Sequence, residues 1–455
     1  MRRLGRAGVG GSRVLRRGIA PVLLCLLLAA GCTRLGLNTA STNIQSKEAA
    51  RPDVLAPFYG DPQVRTVADW ERREEVLRRA FAEHVYGPTP TELTAVEVSR
   101  EVVDEAFAGG AGSLEKILVR VGEGADAIEF HIALALPRGA GDGRPVPLIL
   151  NENFSGNATA LGSDALGDRL DPGSVQARLI RLIFGPHIME GPNRQILERG
   201  YAYATVFPGE FAADSREAAK ADLERFAKLL PAERAPTGVL AVWAAGFGWA
   251  LDVLEADPRI DASRTAVWGH SRQGKSALLA MALDERIEAG FPHQAGKGGT
   301  TLTRARAGET VKEITDSYPH WFDPKYASYA GNEDAIPVDQ HQLIAMVAPR
   351  PLLLGNGWKD VWSDPNGVFR AALGADPVYR LYGVEGLMQD GMRDTDQRGP
   401  LDFWIRPTGH SVRPSDWDYF LDWLDRWMPE GEPSAPIAEA PETVEAIEAG
   451  LNPSP

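Results

Sequence analysis

Gly269-His-Ser-Arg-Gln-Gly-Lys-Ser276 is the stretch that decides how this chain is interpreted, because it fits two unrelated chemical templates. Read as G-x-x-x-x-G-K-S, it is a phosphate-binding loop in which backbone N–H groups and Lys275 would hold a nucleotide's phosphates. Read as strand, Gly-x-Ser and helix, it is a nucleophile elbow that presents Ser271 on a tight turn above a sheet. Both templates expect a strand before the octapeptide and a helix after it, so its immediate surroundings do not separate them.

The first 31 residues have the pattern of a bacterial export signal. Six arginines lie within the first 17 residues, and the apolar run that follows, from Ile19 to Ala30, is too short to span a bilayer comfortably. Small residues before Cys32 resemble a lipobox, so cleavage would leave Cys32 as a lipidated N-terminus; the alternative is an ordinary secretory signal with a chance cysteine. We expect an exported protein in the periplasm or on the outer membrane or cell surface, touching the membrane only through its lipid anchor.

Length and composition indicate how the rest of the chain is divided into domains. Its 455 residues, 44% hydrophobic and 24% charged, can bury a large core. We expect a signal over 1–31, a flexible tether over 32–55, one large α/β domain over 56–428 and a disordered, acidic, Pro- and Ala-rich tail over 429–455.

Charge and cysteine content exclude several classes of function. Residues 1–31 contain six arginines and no acidic residue, so the formal charge of −14 becomes −20 without them, and nucleic acid is not an expected partner. The two cysteines, Cys25 and Cys32, both precede the domain, so we expect neither a disulfide nor a thiolate metal site within it.

Apolar runs and helical patterns alternate along the domain. The predicted strands are 116–121, 128–136, 147–150, 201–207, 264–268, 286–291 and 351–354. The predicted helices are 70–84, 239–254, 276–283 and 417–427. The first two strands alternate like an antiparallel pair, and the later ones suit buried parallel strands. This order predicts a three-layer α/β sandwich with a mostly parallel, doubly wound sheet.

Two observations favour the elbow over the phosphate loop. An exported domain has little ATP or GTP to hydrolyse. About 200 residues with several strand-like stretches also precede the octapeptide within the domain, whereas a phosphate loop usually follows the first strand.

A serine nucleophile needs a base that takes its proton and a carboxylate that orients the base. In the chain order Ser, acid, His, the one histidine that follows the acidic loop after Leu354 is His410. That loop offers Asp360 and Asp364. We favour Asp360, because it comes sooner after the strand and because Asp364, before a proline, has the pattern of a helix cap. His270, next to Ser271, is interpreted as structural.

Several segments together resemble the glucuronoyl esterases, carbohydrate esterase family 15, over roughly residues 148–427. The segments that carry the resemblance are Asn153-Phe-Ser-Gly-Asn157, Gly269-His-Ser-Arg-Gln-Gly-Lys275, Gly298-Gly299, Gly308-Glu309-Thr310, Pro319-His-Trp-Phe322, Pro337-Val-Asp-Gln-His341, Asp360-Val-Trp-Ser-Asp-Pro365 and Gly409-His410. Ordinary esterases place the second glycine two residues after the serine, whereas Gly274 stands three after it.

The resemblance implies an α/β-hydrolase fold and a role for each matched residue. Ser271 would attack the ester carbonyl, His410 would be the general base and then acid, and Asp360 would fix the histidine tautomer. Arg272 would add a cation to the N–H donors around the oxyanion.

The resemblance also implies a sugar site next to this triad. Lys275 and Glu309 match positions that bind sugar hydroxyls, and Trp362 matches the aromatic wall of the sugar pocket. Some relatives place the triad carboxylate in the segment that matches 292–296, where this chain has Gln294; because glutamine carries no charge, the role passes to Asp360.

These observations predict an exported serine esterase that cleaves esters of glucuronic acid or its 4-O-methyl ether, as in the links between glucuronoxylan and lignin. Its partners would be such esters and glucuronoxylan fragments, it would need no metal or organic cofactor, and it would be a monomer. The alternatives are another α/β-hydrolase such as an acetyl xylan esterase or a peptidase, a surface lipoprotein that binds glycans without turnover, and a nucleotide-binding protein.

Overall fold

A computed structural model of the chain describes residues 53–305, 307–394 and 399–429. The export signal, Cys32, nearly all of the tether and the tail from residue 430 lie outside the described residues. The one part of the tether that is described departs from expectation: Val54 and Leu55 are buried in the core, and the Val64 N–H donates to the Leu55 carbonyl. The packed domain therefore already includes residue 54, because these apolar side chains cover part of the core.

Nine strands form one mixed sheet in the order β1-β2-β3-β5-β4-β6-β7-β8-β9. Their bounds are Ala95–Ala106 (β1), Gly112–Val121 (β2), Ile128–Pro137 (β3), Val146–Glu152 (β4), Ala202–Val206 (β5), Ile260–His270 (β6), Ala289–His293 (β7), Leu352–Gly357 (β8) and Leu401–Arg406 (β9). β1, β2 and β3 pair antiparallel with one another, and β3 pairs antiparallel with β5. The strands from β5 to β9 are mutually parallel, which confirms the mostly parallel sheet.

Helices cover both faces of this sheet. Their bounds are Val67–Phe81 (α1), Phe107–Gly110 (α2), Asn157–Ala160 (α3), Val175–Phe184 (α4), Asn193–Glu198 (α5), Arg216–Leu229 (α6), Val239–Leu254 (α7), Arg272–Leu283 (α8), Val311–Ser317 (α9), Pro324–Ala327 (α10), Gln340–Ala345 (α11), Pro365–Leu381 (α12) and Pro414–Trp427 (α13). Among the described residues, no helix is both long enough and apolar enough to cross a bilayer.

Two hydrophobic cores separate the three layers. One core packs α1, α7, α8, α11 and α12 against one face of the sheet, and the other packs α5 and α13 against the opposite face. Successive residues of β6 show the division: Val267 belongs to the first core, and Trp268 to the second. Because side chains alternate across a strand, a strand covered on both sides must be apolar at every position, which explains the continuous apolar runs in the sequence.

The carboxyl ends of the parallel strands lie at one edge of the sheet, and the loops that follow them carry the predicted site residues. In open α/β sheets this edge is where ligands bind. The predicted α/β-hydrolase fold, with a doubly wound sheet in a three-layer sandwich, is the fold of the protein.

Candidate functional site

The octapeptide forms a sharp strand-to-helix turn. β6 ends at His270, α8 begins at Arg272, and Ser271 between them has φ 58° and ψ −122°, a conformation that few residues other than glycine adopt. The turn requires Gly269, because a Cβ there would lie 2.1 Å from the Gln273 carbonyl oxygen. This is the geometry of a nucleophile elbow.

Lys275 argues against a phosphate loop. It lies within the first turn of α8 and is buried, and its ammonium donates to the backbone carbonyls of Ala295 and Lys297. In a phosphate loop the lysine ammonium reaches the β- and γ-phosphates, whereas two of the three N–H donors of Lys275 are held by backbone carbonyls. With α8 starting directly after Ser271, no loop remains between Gly269 and Gly274 to surround a phosphate.

The structure brings Asp360 and His410 together across fifty residues of sequence. Asp360 Oδ2 lies 2.7 Å from Nδ1 of His410, and the carboxyl group is fully buried. The Ser363 hydroxyl also donates to Oδ2. Burial by itself would raise the pKa of Asp360, but the charge and hydrogen bond of His410 and the Ser363 hydrogen bond hold the pKa below its usual value. Asp360 is therefore an anion that orients the His410 ring.

Asp364 has the capping role that its sequence context predicts. It is the N-cap of α12, with φ 48°, and its Oδ1 accepts from the Gly367 N–H at 3.0 Å. Of the two carboxylates considered for the triad, Asp360 is the one that contacts His410.

Gln294, which stands where some relatives carry a carboxylate, contacts the Asp360–His410 pair directly. Its Nε2 donates to Asp360 Oδ2 at 2.7 Å. Its Oε1 accepts from Arg406 Nη2 at 3.0 Å and from the Ser411 N–H at 3.1 Å. Because both neighbours of Oε1 are donors, the orientation of the amide is fixed, and glutamine supplies a hydrogen bond to the carboxylate rather than a second charge.

The His410 ring lies beside the elbow. Its centroid is 4.6 Å from that of His270, the residue before Ser271. Among the described residues, the Ser271 hydroxyl is in hydrogen-bond contact with no other group. Such bonds are often long in ligand-free sites and close when substrate binds.

His270 is structural, as its position predicts, but it also supports His410. Its Nδ1 is 2.9 Å from Nδ1 of His293, and both rings are fully buried. Burial lowers the pKa of both histidines, His270 well below its usual value and His293 to about 3. Both rings are neutral at pH 7, so neither adds a positive charge beside His410.

Arg272 lies between two aromatic rings at the start of α8. Its Cζ is 5.5 Å from the Phe154 centroid and 5.3 Å from the Trp321 centroid, and its guanidinium forms an ion pair with Asp214. Arg272 is the first residue of α8, so its backbone N–H directly follows the elbow serine. A backbone N–H at this position and a nearby cation are the kinds of donor that stabilise an oxyanion.

Lys275, Glu309 and Trp362, the three residues predicted to bind a sugar, form a second group of neighbouring side chains. Lys275 and Glu309 are buried, and each stabilises the charge of the other. Burial lowers the pKa of Lys275 and raises that of Glu309, because both lose water. The Glu309 N–H donates to the Trp362 carbonyl at 2.9 Å, and the Trp362 side chain remains 42% exposed. An ammonium, a carboxylate and an open indole face are the groups that bind a sugar ring.

The loop after β7 contacts both groups of side chains, the one with Ser271 and Asp360 and the one with Lys275. The Ser271 N–H donates to the His293 carbonyl at 2.9 Å, and the Gln294 side chain bonds Asp360. A Cβ on Gly296 would lie 3.2 Å from Ser363 Cβ and 3.9 Å from Lys275 Nζ, so this glycine lies between the loop that carries Asp360 and the Lys275 side chain. Residues 293–297 therefore form hydrogen bonds with three of the predicted site residues, Ser271, Asp360 and Lys275.

Asp214 is a residue beside the site that the sequence does not predict, and two side chains of the segment 319–322 contact it. The His320 Nε2 and the Trp321 Nε1 both lie within hydrogen-bond distance of Asp214 Oδ1, at 3.0 and 2.7 Å. The string Pro319-His-Trp-Phe322 was the available signal for the two donors, but nothing in the sequence pairs it with an aspartate more than a hundred residues earlier.

Glu152, at the end of β4, lies under the elbow helix. Its carboxyl group is fully buried, and its Oε2 is 2.6 Å from the Ser276 hydroxyl, which also donates to the Gln273 carbonyl at 3.0 Å. The Ser276 hydroxyl donates to Glu152 Oε2, but burial outweighs this hydrogen bond and raises the pKa of Glu152 well above its usual value.

The chain is similar in sequence to carbohydrate esterases and glucuronoyl esterases. The model for glucuronyl esterases of fungi matches residues 183–383. A carbohydrate esterase, MZ0003, from an unknown prokaryotic organism is 32% identical over 393 residues, which are 84% of this chain and 90% of that protein. The 4-O-methyl-glucuronoyl methylesterase 1 of Wolfiporia cocos is 32% identical over 169 residues, which are 34% of this chain and 41% of that protein.

The fold is similar to those of solved structures from the same family as the sequence relatives. A promiscuous CE15 esterase from a marine bacterial metagenome superimposes with a TM-score of 0.70 at 29% identity, covering 84% of this chain and 98% of that one. The glucuronoyl esterase from Solibacter usitatus gives a TM-score of 0.70 at 28% identity, with the same coverage.

Replacing Glu152 by glutamine should make stability less dependent on pH. An acid whose pKa is higher in the folded than in the unfolded protein contributes stability at low pH, and that contribution is lost as pH rises from its unfolded pKa of about 4.3 towards its folded pKa. Wild type should lose up to about 1.4 kcal/mol per pH unit through Glu152 in this window, and Glu152→Gln should not. Urea unfolding between pH 5 and pH 9 measures the difference; identical pH dependence in both proteins would show that Glu152 is not a protonated acid.

Proposed function

This chain belongs to the glucuronoyl esterases, carbohydrate esterase family 15, and is a carboxylic ester hydrolase; on this premise we propose that it cleaves esters of glucuronic acid through Ser271, His410 and Asp360. The observation that carries the proposal is the Asp360–His410 pair at 2.7 Å, beside a strained serine elbow and next to Lys275 and Glu309.

Asp360 decides which nitrogen of His410 acts as the base. An anionic carboxylate bonded to Nδ1 keeps the proton on that nitrogen, so Nε2 carries a lone pair. Ser271 Oγ attacks the ester carbonyl carbon while its proton passes to Nε2 of His410. The imidazolium formed in this step is stabilised by the buried Asp360 charge.

The carbonyl oxygen becomes an anion in this step. The Arg272 N–H at the start of α8 and the Arg272 guanidinium are the donors that stabilise it. When the tetrahedral intermediate collapses, the bond to the alcohol breaks and His410 gives its proton to the leaving oxygen. A water molecule then attacks the acyl-enzyme, again with His410 as base, and releases the uronic acid and the free Ser271 hydroxyl.

The sugar half of the ester lies against Lys275, Glu309 and Trp362. The Lys275 ammonium has three N–H donors, and two bond to backbone carbonyls, so one is left for a sugar hydroxyl. Glu309 accepts from a neighbouring hydroxyl, and the exposed Trp362 face packs on the apolar side of the ring. This grouping favours a glucuronate or 4-O-methyl-glucuronate ester over a simple acetate, and turnover over passive glycan binding.

The biological setting belongs to the same proposal. The arginine-rich N-terminus and the lipobox at Cys32 support export, with a lipid anchor at the outer membrane or release into the periplasm. There the enzyme, acting as a monomer, would cleave esters between glucuronoxylan fragments and lignin alcohols. No cofactor takes part in the steps above.

Asp360→Asn should reduce kcat by about 10⁴-fold, because an amide cannot hold the imidazolium or fix its tautomer. Asp364→Asn is the matched control: asparagine caps a helix as well as aspartate does, so kcat should stay near wild type. Steady-state rates on benzyl glucuronate compare the two. If Asp364→Asn were the damaging change, the assignment of the acid would be wrong.

Lys275→Ala and Glu309→Ala should reduce kcat/KM for benzyl glucuronate far more than for an aryl acetate, which has no sugar hydroxyls. Losing a hydrogen bond to a charged group costs about 1.5–3 kcal/mol, or roughly 10- to 100-fold in kcat/KM for the sugar ester. Release of benzyl alcohol from the glucuronate and of the phenol from the aryl acetate is measured side by side, with wild type as reference. Equal losses on both substrates would contradict sugar recognition by these residues, and a wild type that prefers the acetate would favour an acetyl esterase.

A further inference from the structure

Asp214 receives hydrogen bonds from three different side chains next to the site. Arg272 donates through Nη1, the Trp321 Nε1–H lies 2.7 Å from Oδ1, and the His320 Nε2–H lies 3.0 Å from the same oxygen. The carboxylate is partly buried, with 26% of the side chain exposed, and Arg272 is 10% exposed. Ion pairs this far from bulk water are screened less than surface pairs.

Only one of the three donors carries a charge. Burial, followed by the nearby positive charge of Arg272, lowers the pKa of His320 to about 4, so this ring is neutral at pH 7. The Trp321 indole is always neutral. The charge of Asp214 is therefore balanced by Arg272, and the two neutral donors hold the carboxylate in place.

Hydrogen bonds from α7 hold both the loop that carries Asp214 and the segment 320–321. The loop that carries Asp214 is held by Trp243 of α7, whose Nε1–H donates to the Ala212 carbonyl at 2.8 Å. The 320–321 segment is held by the start of the same helix, where the Val239 N–H donates to the His320 carbonyl at 2.9 Å. Asp214 thus occupies a fixed position before Arg272 pairs with it.

We propose that Asp214 is a positioning residue that holds the Arg272 guanidinium in the place where the oxyanion forms. An arginine side chain has many rotamers, and a donor that must be ordered during the reaction stabilises the transition state less than one already in place. With Asp214 bonded to one terminal nitrogen and the Phe154 and Trp321 rings on either side, Arg272 is ordered before substrate arrives. This inference rests on the proposed function, in which Arg272 stabilises the oxyanion.

A double-mutant cycle on benzyl glucuronate and an aryl acetate tests the proposal. Arg272→Ala should lower kcat by about 100-fold, as for loss of one oxyanion donor. Asp214→Asn should lower kcat by about 10-fold through misplacement of the same donor, with KM changed by about twofold or less. The Arg272→Ala/Asp214→Asn variant should match Arg272→Ala alone, and the losses should appear on both substrates, because the oxyanion is common to both.

Asp422→Asn is the matched control. It breaks an arginine–aspartate pair with Arg199 on the surface and should leave kcat at the wild-type value. If Asp214→Asn does not fold, His320→Phe keeps a flat ring, removes one donor to Asp214 and should give a smaller kcat loss that is again absent in the Arg272→Ala background.

Three results would overturn the inference: wild-type kcat in Asp214→Asn, a loss confined to KM, or losses that multiply in the double variant. Failure of the proposed function gives a different result, namely wild-type enzyme that does not turn over the glucuronate ester.

Discussion

A buried negative charge at Asp360 is the interaction on which the site depends. A carboxylate taken out of water is destabilised by several kcal/mol unless hydrogen-bond donors replace its hydration. Three side chains do so here, from His410, Gln294 and Ser363, and they come from loops after three different strands. Satisfying this one charge therefore joins the ends of β7, β8 and β9 and brings an imidazole to the serine elbow.

The loop after β7 explains why Ser271, Asp360 and Lys275 lie together. Residues 293–297 accept the Ser271 N–H, supply Gln294 to Asp360 and supply the carbonyls that hold Lys275. Burial lowers the pKa of His270 and of His293, so both rings under the site are neutral at pH 7.

Much of the fold and part of the site could be predicted from the sequence, and there are physical reasons why the other elements and contacts could not. Buried parallel strands are continuous apolar runs, so β4, β5 and β6 were found, and α7 was found at its observed bounds. β1 was missed because it is an edge strand whose charged residues face water and whose pattern resembles a loop. The Asp360–His410 pair followed from chain order and from strand ends, which place residues at one edge of the sheet. Asp214 could not be predicted in this way, because a contact between residues 214, 272 and 320 in the folded protein produces no pattern in the local sequence.

Product analysis on benzyl glucuronate with wild type, Ser271→Ala and His410→Ala tests whether Ser271, made nucleophilic by His410, forms the bond to the acyl group. Wild type should release benzyl alcohol and glucuronate, and each variant should be slower by about 10⁴-fold or more while remaining folded. Substantial release of benzyl alcohol by the serine variant would contradict the account, because the bond would then be broken without that hydroxyl.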